Sequence, residues 1–169
     1  ITPEKAAEIV AGLPPFVTPV GVFVNSGRQL IESTIRKVGL RVIQLHGDET
    51  PEDCEGFTVP VIRALRVGTN FDVRDLEAFP VNTFLLDTKR DGLYGGTGQT
   101  FDWAVTGDAS RKRRIILSGG IGPANVADAV AKVNPYGVDC GSGVEAKPGV
   151  KDHGKIVAFF KALKSQEMG

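Results

Sequence analysis

Short apolar runs rich in β-branched residues recur at residues 17–24, 41–45, 59–65, 81–86, 114–117 and 136–138. Their centres lie roughly 20–30 residues apart, and the segments between them carry helical spacing, as in Leu30, Ile31, Ile35 and Val38, or Ile156, Val157, Phe160 and Leu163. A parallel strand pair needs a crossover of about a dozen residues or more, and each of these segments is long enough to supply one as a helix. The strand runs are nearly continuous rather than alternating, as in strands covered on both faces. The pattern predicts an α/β fold with a parallel sheet, organised as one βα repeat rather than two domains.

Helix boundaries fit the same series. Thr2-Pro3, Thr50-Pro51 and Gly122-Pro123 each set a capping residue before a proline at the first helical position, where the missing N–H costs nothing. Ser26 is a cap for a helix ending at Gly39, and a last helix is expected from Asp152, with Lys161 and Lys164 at the negative end of its dipole. The basic run from Arg111 to Arg114 reads as a solvated helix end leading into a strand. About six βα units can be counted, whereas a closed (β/α)₈ barrel of the TIM type needs eight strands and usually at least ~200 residues. The chain of 169 residues begins at Ile1 and opens directly on a helix. The expectation is therefore one domain, residues 1–169, of a (β/α)₈ barrel whose first two strands are absent. A six-stranded open doubly wound sheet is the alternative.

Composition removes several classes of function. Lys+Arg 20 against Asp+Glu 20 leaves net charge 0, without the basic surplus a nucleic-acid partner calls for. No apolar run reaches the ~18–20 residues of a membrane span, so no membrane partner is expected. The two cysteines, Cys54 and Cys140, form no disulfide framework, and no signal peptide is visible, which together point to the cytoplasm.

In barrels of this kind the chemistry sits at the C-terminal ends of the strands. That filter selects Asn25, the run from Gln44 to Asp48, Arg63, Arg66, the run from Asp87 to Lys89, and two glycine-rich turns. The turns, Ser118-Gly119-Gly120 and Asp139-Cys140-Gly141-Ser142-Gly143, follow the last two strands, where glycine lets backbone N–H groups approach an anion and helix N-termini favour phosphate. They imply a phosphate ester substrate. Asp87 leaves an apolar run, Phe84-Leu85-Leu86, and burial there would raise its pKa and suit it to general-acid work. His46 is either a donor to substrate or a turn histidine bonded to backbone. Cys54 reads as a small buried residue, and Phe101 and Trp103 as anchors of the following helix. The glycine-rich stretch 90–100 is a candidate lid.

At these residues the sequence resembles phosphoribosylanthranilate isomerase. The motifs that carry the resemblance are Pro19-Val20-Gly21-Val22-Phe23-Val24-Asn25, Gln44-Leu45-His46-Gly47, Phe84-Leu85-Leu86-Asp87-Thr88, and Gly95-Gly96-Thr97-Gly98-Gln99-Thr100-Phe101-Asp102-Trp103. Two more follow, Leu117-Ser118-Gly119-Gly120-Ile121 and the segment from Gly137 to Glu145. The resemblance implies a (β/α)₈ barrel that rearranges N-(5'-phosphoribosyl)anthranilate to the 1-deoxyribulose phosphate ketone in tryptophan biosynthesis, with no metal and no organic cofactor. By the same resemblance Asp87 is the general acid. Gly119, Gly120, Ser142 and Gly143 hold the phosphate, His46 lies by the anthranilate end, and Asp139 orders the last loop.

The sequence departs from the family pattern at one end. The first strand, whose cysteine is the general base of such enzymes, is not found in it, nor are the following helix, the second strand and the arginine that binds the anthranilate carboxylate. A barrel short of two adjacent strands exposes sheet edges. The expectation is thus a complementing N-terminal segment or a second protomer as partner, with Cys140 as a surrogate-base candidate. The rival expectation is a catalytically dead phosphosugar-binding remnant.

Overall fold

The structure, a computed structural model, describes residues 1–68, 71–87 and 103–164. Six parallel strands form one sheet in sequential order: β1 (Val20–Phe23), β2 (Val42–Leu45), β3 (Val61–Arg66), β4 (Thr83–Asp87), β5 (Arg114–Ser118) and β6 (Gly137–Val138). Every strand run predicted from sequence overlaps one of these strands, with β3, β4 and β5 each running one residue further than predicted. The chain divides into two compact units, Ile1–Ala64 with Glu77–Thr83, and Leu65–Leu76 with Phe84–Gly169.

In the first unit, α1 (Pro3–Ala11) begins as its sequence requires: the Lys5 N–H donates to Thr2 Oγ1 and Pro3 takes the first turn. Helix α2 (Arg28–Val38) buries Ile31, Ile35 and Val38, one stripe at helical spacing. Each such side chain contributes on the order of 1.5–3 kcal/mol when fully removed from water. Gly39 stops the helix in the left-handed region at φ 75°, where its N–H reaches the Ile35 carbonyl. The helix packs on α1, and Lys37 pairs with Glu4 across them. β1 and β2 run in parallel register from Val20 opposite Val42 to Phe23 opposite Leu45, and β2 pairs with β3 from Ile43 opposite Val61 to Leu45 opposite Arg63.

Two caps differ from the sequence reading here. The residue before α2 is Gly27, which makes no side-chain cap bond, and the Ser26 hydroxyl turns back to the Val24 carbonyl. After Thr50-Pro51 only a three-residue 3₁₀ turn forms, Glu52–Cys54. Asp53 caps it by accepting from the Thr50 N–H and hydroxyl, but Gly56 follows at φ 72° and Pro60 disfavours helix in the residue before it.

In the second unit β4 buries Phe84, Leu85 and Leu86 in succession, so both of its faces are covered. The unit carries α3 (Trp103–Lys112), α4 (Val126–Val133) and α5 (His153–Lys164). Its core joins Leu117, Ile121, Val126, Ala129, Val133, Val144 and Phe159. The Ser110 hydroxyl donates to the Val133 carbonyl and ties α3 to the end of α4. Regular α4 starts at Val126 rather than beside Pro123, because Asn125 folds the entry into a turn, its Oδ1 accepting from the Gly122 N–H. Asp152 caps α5 as expected, accepting from the Lys155 N–H. Between β6 and α5 lie a 3₁₀ turn, Ser142–Val144, and an antiparallel hairpin of β7 (Glu145–Lys147) and β8 (Val150–Lys151), neither visible in the periodicity. No helix among the described residues is long and apolar enough to cross a membrane.

Candidate active site

The two glycine-rich turns are built into each other. At the end of β5 the Ser118 hydroxyl donates to the Asp139 carboxylate at 2.8 Å, and the Asp139 N–H donates to the Leu117 carbonyl, also at 2.8 Å. Gly119 and Gly120 follow at φ 90° and 72°, a backbone that side chains with a Cβ rarely adopt. Gly143 lies against the other turn so closely that a Cβ there would stand 2.1 Å from the Ile121 carbonyl oxygen and 3.0 Å from the Gly122 Cα. The Cys140 thiol donates to the same Ile121 carbonyl at 2.9 Å. Burial pushes that thiol's pKa up, and the neighbouring Asp139 charge pushes in the same direction. The Cys140 sulfur is thus a protonated strut between turns, which is the opposite of what a base requires.

Lysines brace the second turn from behind. Lys151 donates to the Gly141 carbonyl at 2.8 Å and to the Glu145 carboxylate at 3.0 Å, and Lys155 donates to the Glu145 carbonyl. The Lys151 ammonium holds Glu145 below the usual carboxylate range. Sequence reasoning did not single out Lys151, because only the β7–β8 hairpin carries it back over Gly141. Asp87 ends β4, the strand next to β5, and is half-buried; its carbonyl accepts the Val67 N–H at 2.9 Å. Asp87 and Ser118 therefore stand at the same, C-terminal, ends of neighbouring strands. Thr88, the stretch 90–100 and Phe101 lie outside the described residues, as does the Trp103 side chain.

The first unit carries His46, one residue past β2. Its N–H donates to the Phe23 carbonyl, and its ring Nδ1 stands 2.8 Å from Gln44 Nε2. Beside it is a buried network that joins the strand-end candidates Arg63, Asn25 and Gly47 to Glu49, which the strand-end filter does not select. Arg63 and Glu49 pair at 3.0 Å with side chains 5% and 6% exposed. Glu49 also accepts the Asn25 and Gly47 N–H groups, at 2.8 and 2.7 Å. Arg63 donates to the Leu45, Ala64 and Gly47 carbonyls and packs over the Phe79 ring. Gly47 leaves no room for a Cβ, which would meet Asn25 Oδ1 at 2.1 Å. The loops after β1 and β2 are thereby locked to β3 through one ion pair. A cleft of about 300 Å³ between Asn25, Arg28, Asp48 and Phe57 lies in this unit; of the strand-end candidates it is lined by Asn25, Leu45 and Asp48, and His46 is not among its lining residues.

A family model described as N-(5'phosphoribosyl)anthranilate (PRA) isomerase matches residues 1–162. The chain belongs to the PRA isomerase family. A relative from Magnetococcus marinus, named N-(5'-phosphoribosyl)anthranilate isomerase, is 47% identical over 169 residues, which is 100% of this chain and 80% of that protein. The crystal structure of phosphoribosyl anthranilate isomerase from Thermotoga maritima is 43% identical, covering 98% of this chain and 82% of that one with a TM-score of 0.83. A further isomerase structure holds reduced 1-(o-carboxyphenylamino)-1-deoxyribulose 5-phosphate; it is 40% identical, covers 98% of this chain and 80% of that one, and has a TM-score of 0.79. The TIM-barrel class expected from the βα series is the class of these PRA isomerases. Of the predicted residues, the second unit holds Gly119, Gly120, Asp139, Ser142 and Gly143 together in one pair of interlocked turns, with Asp87 on the strand beside them; His46 belongs to the first unit.

Proposed function

We propose that this chain carries out the PRA isomerase reaction of tryptophan biosynthesis, the Amadori rearrangement of N-(5'-phosphoribosyl)anthranilate to 1-(2-carboxyphenylamino)-1-deoxyribulose 5-phosphate. The observation that carries the reading is the interlocked pair of glycine turns, Ser118–Gly120 with Asp139–Gly143, beside a half-buried carboxyl at the end of β4. The turns' backbone N–H groups suit the 5'-phosphate, and Asp139 keeps them in register through Ser118. Asp87 acts as general acid. Its proton passes to the furanose ring oxygen, the C1–O bond breaks, and the anilino nitrogen's lone pair forms the C1=N bond of a protonated Schiff base. Loss of the C2 proton then gives an enamine-enol, and return of a proton to C1 with loss of the C2 enol O–H proton leaves the C2 ketone. His46 lies at the anthranilate end.

The base for the C2 proton is not assigned to a residue of this sequence, since Cys140 is occupied as a donor. In this reading a complementing segment or protomer supplies it by pairing along β1. The support is the condition of that strand, which ends the sheet and leaves Val20, Val22 and Val24 43%, 59% and 59% exposed. The working compartment in this reading is the cytoplasm, consistent with two unpaired thiols, Cys54 and Cys140.

The test follows the fluorescence of phosphoribosylanthranilate mixed with the chain, with and without a peptide carrying a family strand–helix–strand. Turnover is expected with the peptide, and Asp87→Asn is expected to reduce it about 10²–10⁴-fold. Folded protein that stays silent in both mixtures, and binds a ketone-product analogue no better than inorganic phosphate, would overturn the proposal in favour of a binding remnant.

A further inference from the structure

In the second glycine turn, the peptide between Gly141 and Ser142 is not fixed by packing. The turn is anchored on either side of it: the Cys140 thiol donates to the Ile121 carbonyl, and Gly143 lies against Ile121 and Gly122. Gly141 and Ser142 themselves are exposed, and a Cβ on Gly141 would meet nothing within 4 Å. Lys151 supplies the missing hold, its ammonium donating to the Gly141 carbonyl at 2.8 Å. A trans peptide points its C=O and N–H in opposite directions, so a carbonyl drawn toward Lys151 sends the Ser142 N–H the other way. A charged donor on the carbonyl also polarises the peptide and strengthens that N–H as a donor. The first turn has a neutral counterpart, since the Asn125 amide donates to the Gly120 carbonyl at 3.1 Å.

Lys151 is itself well anchored. It stands in β8 opposite Glu145 of β7 and pairs with it at 3.0 Å. The next N–H, that of Asp152, donates to the carbonyl of Val144, a residue buried in the core of the unit. With Glu145 so close, the two charges largely cancel beyond contact range, and Lys151 acts on the turn through one hydrogen bond rather than through a long-range field. We propose that Lys151 is a positioning residue for the phosphate, which aims the Ser142 N–H at the anion by holding the Gly141 carbonyl. This rests on the reading that the glycine turns take the 5'-phosphate.

The test is NMR of the full chain, labelled with ¹³C and ¹⁵N and titrated with inorganic phosphate. In the unaltered chain phosphate should move the Ser142 amide proton downfield. Lys151→Met keeps the stem and removes the donor, so the Gly141 carbonyl carbon should move upfield before any phosphate is added. Its phosphate Kd should rise about 10- to 150-fold, the worth of one hydrogen bond to a charged group. Lys151→Arg, which still donates, should bind phosphate more tightly than Lys151→Met. Glu145→Gln removes the ion pair and leaves the Gly141 bond, so its phosphate Kd should stay within about 2-fold of the unaltered value. Equal losses in Glu145→Gln and Lys151→Met would mean that the ion pair merely braces the hairpin, and would overturn the proposal. Unchanged phosphate binding in Lys151→Met would overturn it too, while leaving the turns as the phosphate site. Phosphate that moves no amide of either turn in the folded, unaltered chain would refute the phosphate reading itself, and the role of Lys151 with it.

Discussion

Replacing Arg63 by Met keeps an unbranched apolar stem of similar reach and deletes only the guanidinium. The structure says what that group does. It neutralises Glu49, 6% exposed, at 3.0 Å, and it is the donor to three carbonyls, those of Leu45, Gly47 and Ala64. Removing one member of a buried pair leaves the other charge in a poor dielectric, a change that costs about 3–5 kcal/mol, against a total stability of roughly 5–15 kcal/mol for a domain. Unfolding in urea, followed by far-UV circular dichroism, should show that loss with an unchanged slope, and the melting temperature should fall by roughly 6–20 °C. Glu49→Gln should cost less, since the amide oxygen can still accept from Asn25 or Gly47. The double variant should cost less than the two losses added, because the stranded carboxylate is gone. A loss under about 1 kcal/mol for Arg63→Met, the size of an exposed pair, would refute the claim that this ion pair is what holds the loops after β1 and β2 to β3.

Gly143→Ala places a methyl 2.1 Å from the Ile121 carbonyl oxygen, so the interlocked turns must part; a destabilisation of about 1–3 kcal/mol and loss of product-analogue binding by calorimetry are expected. The Cys140 thiol, raised above its ordinary 9.0 by burial and then by Asp139, should alkylate with iodoacetamide more slowly at pH 8 than a cysteine in an unfolded peptide. The sign is that of a neutral form favoured by folding: the stabilisation is present below the ordinary value and is lost as pH rises through the raised one. Asp72, held down to about 2 by its hydrogen bonds to Arg74, contributes stability above its ordinary 3.8 that is lost as pH falls toward 2. Its carboxyl should titrate by NMR near that lower value, and Arg74→Ala should bring the midpoint back toward 3.8.

Local chemistry written along the chain was legible without coordinates. The apolar runs became β1 to β6, Thr2-Pro3 capped α1, Gly39 closed α2, Asp152 capped α5, and the glycine turns stood at the ends of the last two strands. Each of these depends on residues a few positions apart, where period, caps and φ preference act directly. The motifs of the isomerase family were legible for the same reason, because they are contiguous strings. The helix expected after Thr50-Pro51 is cut to one 3₁₀ turn on equally local grounds, Gly56 and Pro60 arriving before a second turn can form.

What only the tertiary structure decided are the partnerships between distant residues. Arg63 stands in the sequence as a strand-end candidate and Glu49 is not singled out at all, and only the pairing of β2 with β3 brings the two together and buries both. Cys140 keeps a base-like position on paper, and becomes a donor only when its turn meets Ile121, 19 residues earlier. Lys151 reaches Gly141 only because the β7–β8 hairpin folds back. The sequence by itself thus determined the elements and the family, since backbone preference and motif are short-range. The protonation, pairing and room around each side chain were left to the fold, because they depend on which groups lose their water together.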